Sequence, residues 1–554
     1  MMIKYLSLLL LLFILFSCHS SKKMAAYGKA GHYATDSLWL TCEQDSLRVL
    51  NTGDYLVHSP YGNWELYVSG NPAQLGYKEG MLAQQLFRQQ QAIFMDKLET
   101  MVSSKIKRRF IINFLHWYGR KMDRYIPEPY LTELYTLSKS LDNTYAYAGD
   151  NFRLLLFMHA AHDLGHALRD LAIVGCSSVA SWGSKTVDGK LLIGRNFDFY
   201  VNDAFAENKV VYFVRPEQGI PYMSVSWAGM IGVVSGMNLQ GLTVTMNAGK
   251  SSIPLSAKKP ISIVAREILE KASTIAEAVA IAEQSQVFVS ESLMIGSAND
   301  KKAVLLELSP KHMDVFEVDN AEQIICTNHF QSATYQNDPR NLKHIQNSHS
   351  QYRYERLSEL LWQQPKLNPA QMADILRNKE GLNDAAIGYG NDKAVNHLLA
   401  HHALIFQPED RLVWVSNAPY QLGAFTAYDL NKVFHSDNFR TSSQVVDSLL
   451  IPADPFLFST GYQQYEEMRR QSDSIAHQLH TKGVLTAGDI QKYQELNPHL
   501  WMVYYLSGKY WMANKAYSSA SAAFEQALQC LLPTIQTERK ILKLKAKADK
   551  KWKQ

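Results

Sequence analysis

Apolar residues recur at three- and four-residue spacing along Gly76 to Leu98, Ser103 to Tyr125, Pro129 to Leu141 and Phe152 to Ala172. That spacing predicts four helices ahead of Gly175. Past Gly175 the texture changes to short runs rich in β-branched and aromatic residues: Ser178 to Trp182, Leu191 to Ile193, Val210 to Val214, Tyr222 to Trp227 and Leu242 to Met246. Asp188-Gly189 fits a hairpin turn between the first two runs, and Gly241 a turn before the last. A helix over Ile261 to Gln284 is followed by strands at Leu293 to Ile295, Ala303 to Leu308 and Gln323 to Cys326. Helices near Tyr354 to Trp362 and Pro369 to Arg377 precede strands at Ala403 to Phe406 and Arg411 to Val415. Strand blocks separated by helix blocks predict an α+β fold of four layers, αββα: two stacked antiparallel sheets with helices on both outer faces.

After about Asp454 the chain is helical again. Tyr504, Gly508, Ala520, Phe524 and Ala527 have the relative spacing of one tetratricopeptide (TPR) unit of roughly 34 residues, and a plain helical hairpin fits the same positions. A single unit cannot bury its own face, so it needs the main domain or a protein partner to dock on.

The first residues read differently. Lys4 precedes the apolar run Leu6 to Phe16, interrupted only by Ser7, which has the size of a signal-peptide core. The run ends at Leu15-Phe16-Ser17-Cys18, which resembles a bacterial lipobox; an ordinary secretory peptide is the alternative. The lipobox reading makes this an exported bacterial lipoprotein held at the membrane by acyl chains on Cys18, facing the periplasm or the cell surface. The expected division is a signal peptide over 1–17, a tether leading into the domain over 18–60, a helical pre-segment over 61–175, the sandwich core over 176–453 and a C-terminal helical region over 454–554.

With 554 residues, 46% of them apolar and 19% charged, the chain is neither disordered nor collagen-like. A formal charge of +4 with no compact basic stripe gives no footprint for nucleic acid, and the lysine-dense stretch Lys540 to Lys553 is a tail. Cys42, Cys176, Cys326 and Cys530 are too few for a disulfide framework and too dispersed for a zinc site. One of them is therefore a candidate for chemistry.

Cys176 has the setting for it. It follows Gly175 at the start of a predicted strand, the layout expected if the peptide bond before it is cut and Cys176 becomes a new N-terminus. A free α-amino group has a pKa of about 7.7–8.0, so the thiol acquires a base on its own residue and needs no separate histidine. Arg195 and Asp198 fall on the return strand of the proposed hairpin, where both can reach Cys176. The guanidinium favours thiolate, and the carboxylate orients the amine. Alone, an Arg195/Asp198 pair is more often structural, Asn238 serves a turn, and Cys326 packs a strand.

Together with Arg195-Asn196-Phe197-Asp198, Gly236 to Leu242 ending in Met246-Asn247, and Thr327-Asn328-His329-Phe330, Cys176 resembles the N-terminal-nucleophile (Ntn) hydrolases of the choloylglycine hydrolase and penicillin V acylase group. The helical pre-segment and the Gly175-Cys176 junction resemble its isopenicillin N acyltransferase branch, which cuts itself there. The resemblance spans roughly Trp64 to Leu430. It implies Cys176 as nucleophile, Arg195 and Asp198 as its orienting pair, and Asn328 (side-chain amide) with Asn247 (backbone N–H) as oxyanion hole. Arg353 matches the late arginine, although Arg356 stands one helical turn away. The implied activity is cleavage of a non-peptide acyl-amide C–N bond in a small molecule, by hydrolysis or acyl transfer, with no cofactor and no metal.

Three other readings compete. A papain-like protease would pair Cys176 with His329, but the papain sequence around the cysteine is absent. His162-Asp163-Leu164-Gly165-His166, with His159 on the same face, mimics a zinc spacing, although Asp163 is short for the usual base and Gly165 weakens the helix. His397, His401 and His402 read as surface or strand-edge residues rather than ligands. The third reading is a lipid-anchored binding or scaffold protein whose sandwich is inert.

Overall fold

The computed structural model describes residues 37–168, 173–252, 256–435, 442–479 and 485–554, with the side chains of 161–174 left aside. The signal-peptide and Cys18 readings lie outside these residues. The described chain opens with four strands, β1 (Leu40–Gln44), β2 (Leu47–Leu50), β3 (Tyr55–His58) and β4 (Trp64–Gly70), then four helices, α1 (Pro72–Met101), α2 (Lys105–Gly119), α3 (Glu128–Ser138) and α4 (Asn151–Leu168). Next come β5 (Ile173–Val174), β6 (Ser177–Ser181), β7 (Leu192–Phe197), β8 (Phe199–Tyr200), the short α5 (Asp203–Glu207), β9 (Lys209–Pro216), β10 (Tyr222–Trp227), β11 (Ser235–Asn238) and β12 (Leu242–Ala248). Helices α6 (Ile261–Lys271) and α7 (Ile275–Glu283) lead to β13 (Glu291–Ser297), β14 (Lys302–Leu308), β15 (Met313–Phe316) and β16 (Gln323–Cys326). Helices α8 (Pro339–Asn347), α9 (Ser350–Gln363) and α10 (Pro369–Leu376) precede β17 (His402–Gln407), β18 (Leu412–Ser416), β19 (Phe425–Asp429) and α11 (Leu430–His435). The C-terminal region is α12 (Thr460–Gln478), α13 (Ala487–Glu495), α14 (Trp501–Ala513), α15 (Tyr517–Gln529) and α16 (Ile535–Trp552).

The expected two sheets are present. One has eleven strands, β1-β2-β3-β4-β9-β10-β11-β12-β13-β14-β15, and the other six, β16-β6-β7-β17-β18-β19. All their pairings are antiparallel except β4 with β9. The layers follow from the two-residue period of strands. Ala180, Ile193, Ile324 and Leu404 point inward to a core shared with Phe213, Val225 and Met294 of the large sheet. Their neighbours Val179, Leu192, Ile325 and Ile405 point outward, under Leu357, Met372 and Leu376 of α9 and α10. The opposite face of the large sheet lies under α1, α3, α4, α6 and α7.

Three expectations need correction. Within 18–60, read as a tether leading into the domain, the described residues Leu40 to His58 form β1 to β3, which extend the large sheet through β4; the pre-segment is thus tied into the core by a parallel β4–β9 pair. The helix read as Ile261 to Gln284 is two, because Thr274 caps α7 in a reciprocal capping box with Glu277. Residues Ser235 to Asn238, read only as part of a motif, form β11, and Gly241 turns the chain into β12 at φ +77°.

The C-terminal helices dock on the core. Gly508 lies so close to Phe524 that a Cβ would meet its ring at 2.5 Å, so α14 and α15 pack tightly. Asn497 Nδ2 donates to Tyr389 O at 2.8 Å, and Asn391 Nδ2 donates to Leu531 O at 3.0 Å, both joining this region to the loop between α10 and β17. Among the described residues no helix is long and apolar enough to cross a membrane.

Candidate active site

The β6–β7 hairpin places the first three residues of the candidate site. Its register pairs Ser177 with Asn196 and Ser178 with Arg195, and the Gly175 N–H donates to Asp198 O at 3.2 Å, so Cys176 faces the end of β7. Gly189, at φ +77°, allows the tight return that brings Arg195 and Asp198 back to it. Cys176 is 1% exposed, and Arg195, Asp198, Asn247 and Arg353 are fully buried.

Burial dominates the electrostatics. It pushes the Cys176 thiol up to about 11, against the pull of Arg195, while Asp198 and Glu291 raise it further. Burial likewise lifts Asp198 to about 7, opposed by Arg353 and Arg195. With the chain uncut, the thiol is therefore protonated at neutral pH. Both Asp198 carboxylate oxygens are buried and make no hydrogen bond among the described residues. Native interiors rarely leave such atoms unmatched.

Arg195 is held by the large sheet: it donates to Val234 O at 3.0 Å and also to Ser235 Oγ and Met246 O. Ser235 Oγ in turn meets His402 Nε2 at 2.8 Å, and His402 Nδ1 meets His401 Nδ1 at 2.8 Å. This chain of contacts fixes the guanidinium against the sulfur.

On the other side Arg353, from the first turns of α9, donates to Cys176 O and Ser177 Oγ at 2.7 Å each and to Asn328 Oδ1 at 2.5 Å. Since a guanidinium only donates, the Asn328 atom facing it is the oxygen, which settles which end of the amide is nitrogen. Asn328 Nδ2 gives one N–H to Ala248 O at 3.0 Å, leaving its second as a donor. Arg356, one turn on, serves elsewhere, bonding Glu359 at 2.8 Å and Asp384 at 2.6 Å.

Asn247 is brought to the same place by β12. Its Oδ1 accepts from Ser178 Oγ at 2.8 Å and its Nδ2 donates to Cys326 O at 3.1 Å. Met246 N–H donates to Val234 O and Gly249 N–H to Ser290 O, so strand alternation turns the Asn247 N–H toward β13, opposite Ser292. The site-facing part of Asn247 is thus its side chain. Cys326 packs between the sheets, with its thiol pushed up by burial.

The competing residues are engaged otherwise. His329 Nδ1 lies 2.8 Å from Ser350 Oγ and 3.1 Å from Thr327 Oγ1. His159 is satisfied on both nitrogens, meeting Leu155 O at 2.8 Å and accepting from Ile231 N–H at 2.9 Å; the side chains of His162 and His166 lie outside the described residues. No group of three or more potential ligands is placed to hold a metal among the described residues. His397, His401 and His402, expected at the surface or a strand edge, are all fully buried, because His401 and His402 pack against the rings of Phe197, Phe205 and Trp227 and His397 against Gly175 and His349. A cavity of about 650 Å³, lined by Arg48, Tyr77, Gln84, Arg88 and Lys139 among others, includes none of the site residues.

Sequence reading missed Ser178, Ser235, Ser350, His349 and His402, which hold the others in place. Apart from His349, which accepts from Arg353 Nε at 3.2 Å one helical turn away, their partners lie far along the chain.

Two stacked sheets between helical layers, with a glycine-cysteine junction at the head of the β6–β7 hairpin, form the four-layer αββα arrangement that the resemblance implied. Residues 184–418 match the family model described as acyl-coenzyme A:6-aminopenicillanic acid acyl-transferase, a stretch that begins downstream of Cys176 and contains Arg195, Asp198, Asn247, Asn328 and Arg353. An uncharacterized protein of Archaeoglobus fulgidus is 24% identical over 308 residues, 51% of this chain and 48% of that protein. The N-acylethanolamine-hydrolyzing acid amidase of Caenorhabditis elegans is 25% identical over 247 residues, 42% of this chain and 66% of that protein. Among solved structures, a mutant of conjugated bile acid hydrolase from Clostridium perfringens aligns over 49% of this chain and 96% of that one, at 12% identity and a TM-score of 0.32. The chain spans about half of the first of these curated relatives and just under two thirds of the second.

Proposed function

We propose that this chain is an exported, lipid-anchored amidohydrolase that cuts itself between Gly175 and Cys176 and then cleaves a non-peptide acyl-amide bond through an acyl-Cys176 intermediate. The observation that carries the reading is the Asp198 carboxylate, buried beside the thiol with neither oxygen hydrogen-bonded among the described residues. Leaving such a group unmatched is costly. An α-ammonium on Cys176 is the charge that would satisfy it.

In the cut enzyme the α-amine takes the thiol proton, the thiolate attacks the substrate carbonyl, and the resulting ammonium protonates the leaving amine. Arg195 stabilises the thiolate. The free N–H of Asn328 faces the developing oxyanion with Asn247 beside it, and Arg353 holds Asn328 in that orientation. Water then releases the acyl group. Outside the cytoplasm no supply of acyl-coenzyme A is expected, so hydrolysis prevails over transfer. The relative from Caenorhabditis elegans is named for hydrolysing N-acylethanolamines, and the family model for a 6-aminopenicillanic acid acyltransferase; both substrate types head the panel to try.

Self-cleavage predicts fragments of about 17 and 43 kDa from the mature chain on a denaturing gel, with a cysteine N-terminus on the larger. Cys176→Ala should abolish both cutting and turnover, and incorporation of labelled fatty acid should require Cys18. An uncut chain that hydrolyses no amide on the panel refutes the reading and leaves the inert scaffold, with the TPR-like helices as its partner surface.

A further inference from the structure

His397 stands in the loop between α10 and β17, and its ring lies against Gly175. A Cβ added to Gly175 would stand 2.3 Å from His397 Cε1 and 2.9 Å from Nδ1. Only glycine therefore fits before Cys176 with this ring in place. The carbonyl carbon of Gly175 is about 2.5 Å from such a Cβ by standard backbone geometry, which puts Nδ1 no more than about 5.4 Å from the carbon of the scissile bond. A base working through one water spans that range, at about 2.6–3.2 Å per hydrogen bond.

No strong hydrogen bond engages the ring. His397 is fully buried, and neither nitrogen makes a hydrogen bond of normal distance and angle among the described residues, the Ala394 backbone being the group that bears on it. His159, His329 and His402 are each hydrogen-bonded. The His349 ring is 5.6 Å away, and burial together with the Arg353 charge keeps the His397 imidazole neutral, the form a base requires. The far side of the loop is pinned by the C-terminal region: Tyr465 Oη donates to Leu398 O at 3.3 Å, and Gly388 packs against Leu500.

We propose that His397 is the general base for the hydrolytic half of self-cleavage, an inference that rests on the function proposed above. In the first half the Cys176 sulfur bonds to the Gly175 carbonyl carbon, the C–N bond breaks, and the thiol proton ends on the Cys176 nitrogen. The product is a thioester with a free α-amine. In the second half water bonds to the thioester carbon while His397 takes its proton, the C–S bond breaks, and the proton returns to the departing thiolate. Gly175 is left as a carboxylate, its acid proton passing to the α-amine, and Cys176 as thiol and ammonium. Once the Gly175 end withdraws, the same ring borders the opened site.

The test is a time course of fragment appearance after pulsed synthesis of the full chain, comparing wild type with His397→Gln and His397→Asn. Both variants should slow cutting at least about tenfold and accumulate full-length chain. Added hydroxylamine, which attacks a thioester directly, should restore cutting and leave a hydroxamate on Gly175, identifiable by mass. Cutting at the wild-type rate in either variant overturns the proposal, and so does accumulated chain that hydroxylamine leaves intact. A wild-type chain that is never cut refutes the proposed function instead, so the two failures are distinguishable.

Discussion

Two clusters of buried charge sit on opposite faces of the large sheet, and they are finished to different degrees. On the outer face Arg266 makes a two-pronged pair with Glu133 at 2.7 and 2.8 Å, and donates to Glu270 at 2.8 Å and to Ile231 O at 3.0 Å. Tyr130 closes the remaining Glu270 oxygen at 2.7 Å. On the inner face Arg195, Asp198 and Arg353 surround Cys176, and there the Asp198 oxygens are left open. Desolvation is paid in both places. The outer cluster recovers it through complete pairing and clamps α3 to α6, whereas the inner one holds unmatched polarity where a reaction can use it.

The comparison breaks most sharply at one carboxylate in each cluster. Asp198→Asn should lower turnover by about 10²–10⁴-fold, and in the uncut Cys176→Ala background it should cost no thermal stability, since there the carboxylate has no hydrogen-bond partner among the described residues. Glu133→Gln should do the reverse, costing about 3–5 kcal/mol in denaturant unfolding while the folded fraction keeps its kcat. A Glu133 variant as stable as wild type, or an Asp198 variant that turns over normally, would erase the distinction. Next, Asn328→Ala should reduce kcat by about 10²–10³-fold with a smaller change in KM, because its free N–H serves the transition state; a change confined to KM would argue against that role.

A pH series sharpens the contrast further. Asp198 is pushed up to about 7 in the fold, against an ordinary value near 4. The folded state thus holds a proton that the unfolded state releases, and stability falls as pH rises from about 4 to 7. Glu79, also near 7, and Asp392, near 6, act in the same sense, so the quantity to read is a difference between two proteins. Uncut Cys176→Ala and the double variant Cys176→Ala/Asp198→Asn should melt nearly alike at about pH 4 and diverge progressively to about pH 8, with the single variant lower. Equal melting temperatures at both pH values would place a partner on Asp198. The smallest effect belongs to Cys326→Ala, expected to cost about 1 kcal/mol of stability and no activity, as a small void in the inter-sheet core.

Much of the fold was legible in local pattern. Tyr222 to Trp227 and Gln323 to Cys326 appear as strands with the expected limits, because two-residue alternation between two cores leaves little freedom in register. The first four strands were not legible. Leu40 to Leu50 is half exposed at the sheet edge and lacks a full apolar face, so its pairing is decided by β3, β4 and the distant β9. Cys176, Arg195 and Asp198 were legible as a group because one hairpin joins them, with Asp188-Gly189 marking its turn. Arg353 and Asn328 were named only through family likeness, and neither the clasp of one on the other nor the seat of His397 against Gly175 was anticipated: no local rule relates residues that far apart.

What this chain carried in its own residues was the layering, through hydrophobic period, and the neighbourhood of Cys176, through a hairpin short enough to be read as one unit. What awaited folding was satisfaction: which buried polar groups find partners and which do not. That outcome depends on desolvation and on long-range packing of elements from both ends of the chain, neither of which leaves a mark on any short stretch of sequence.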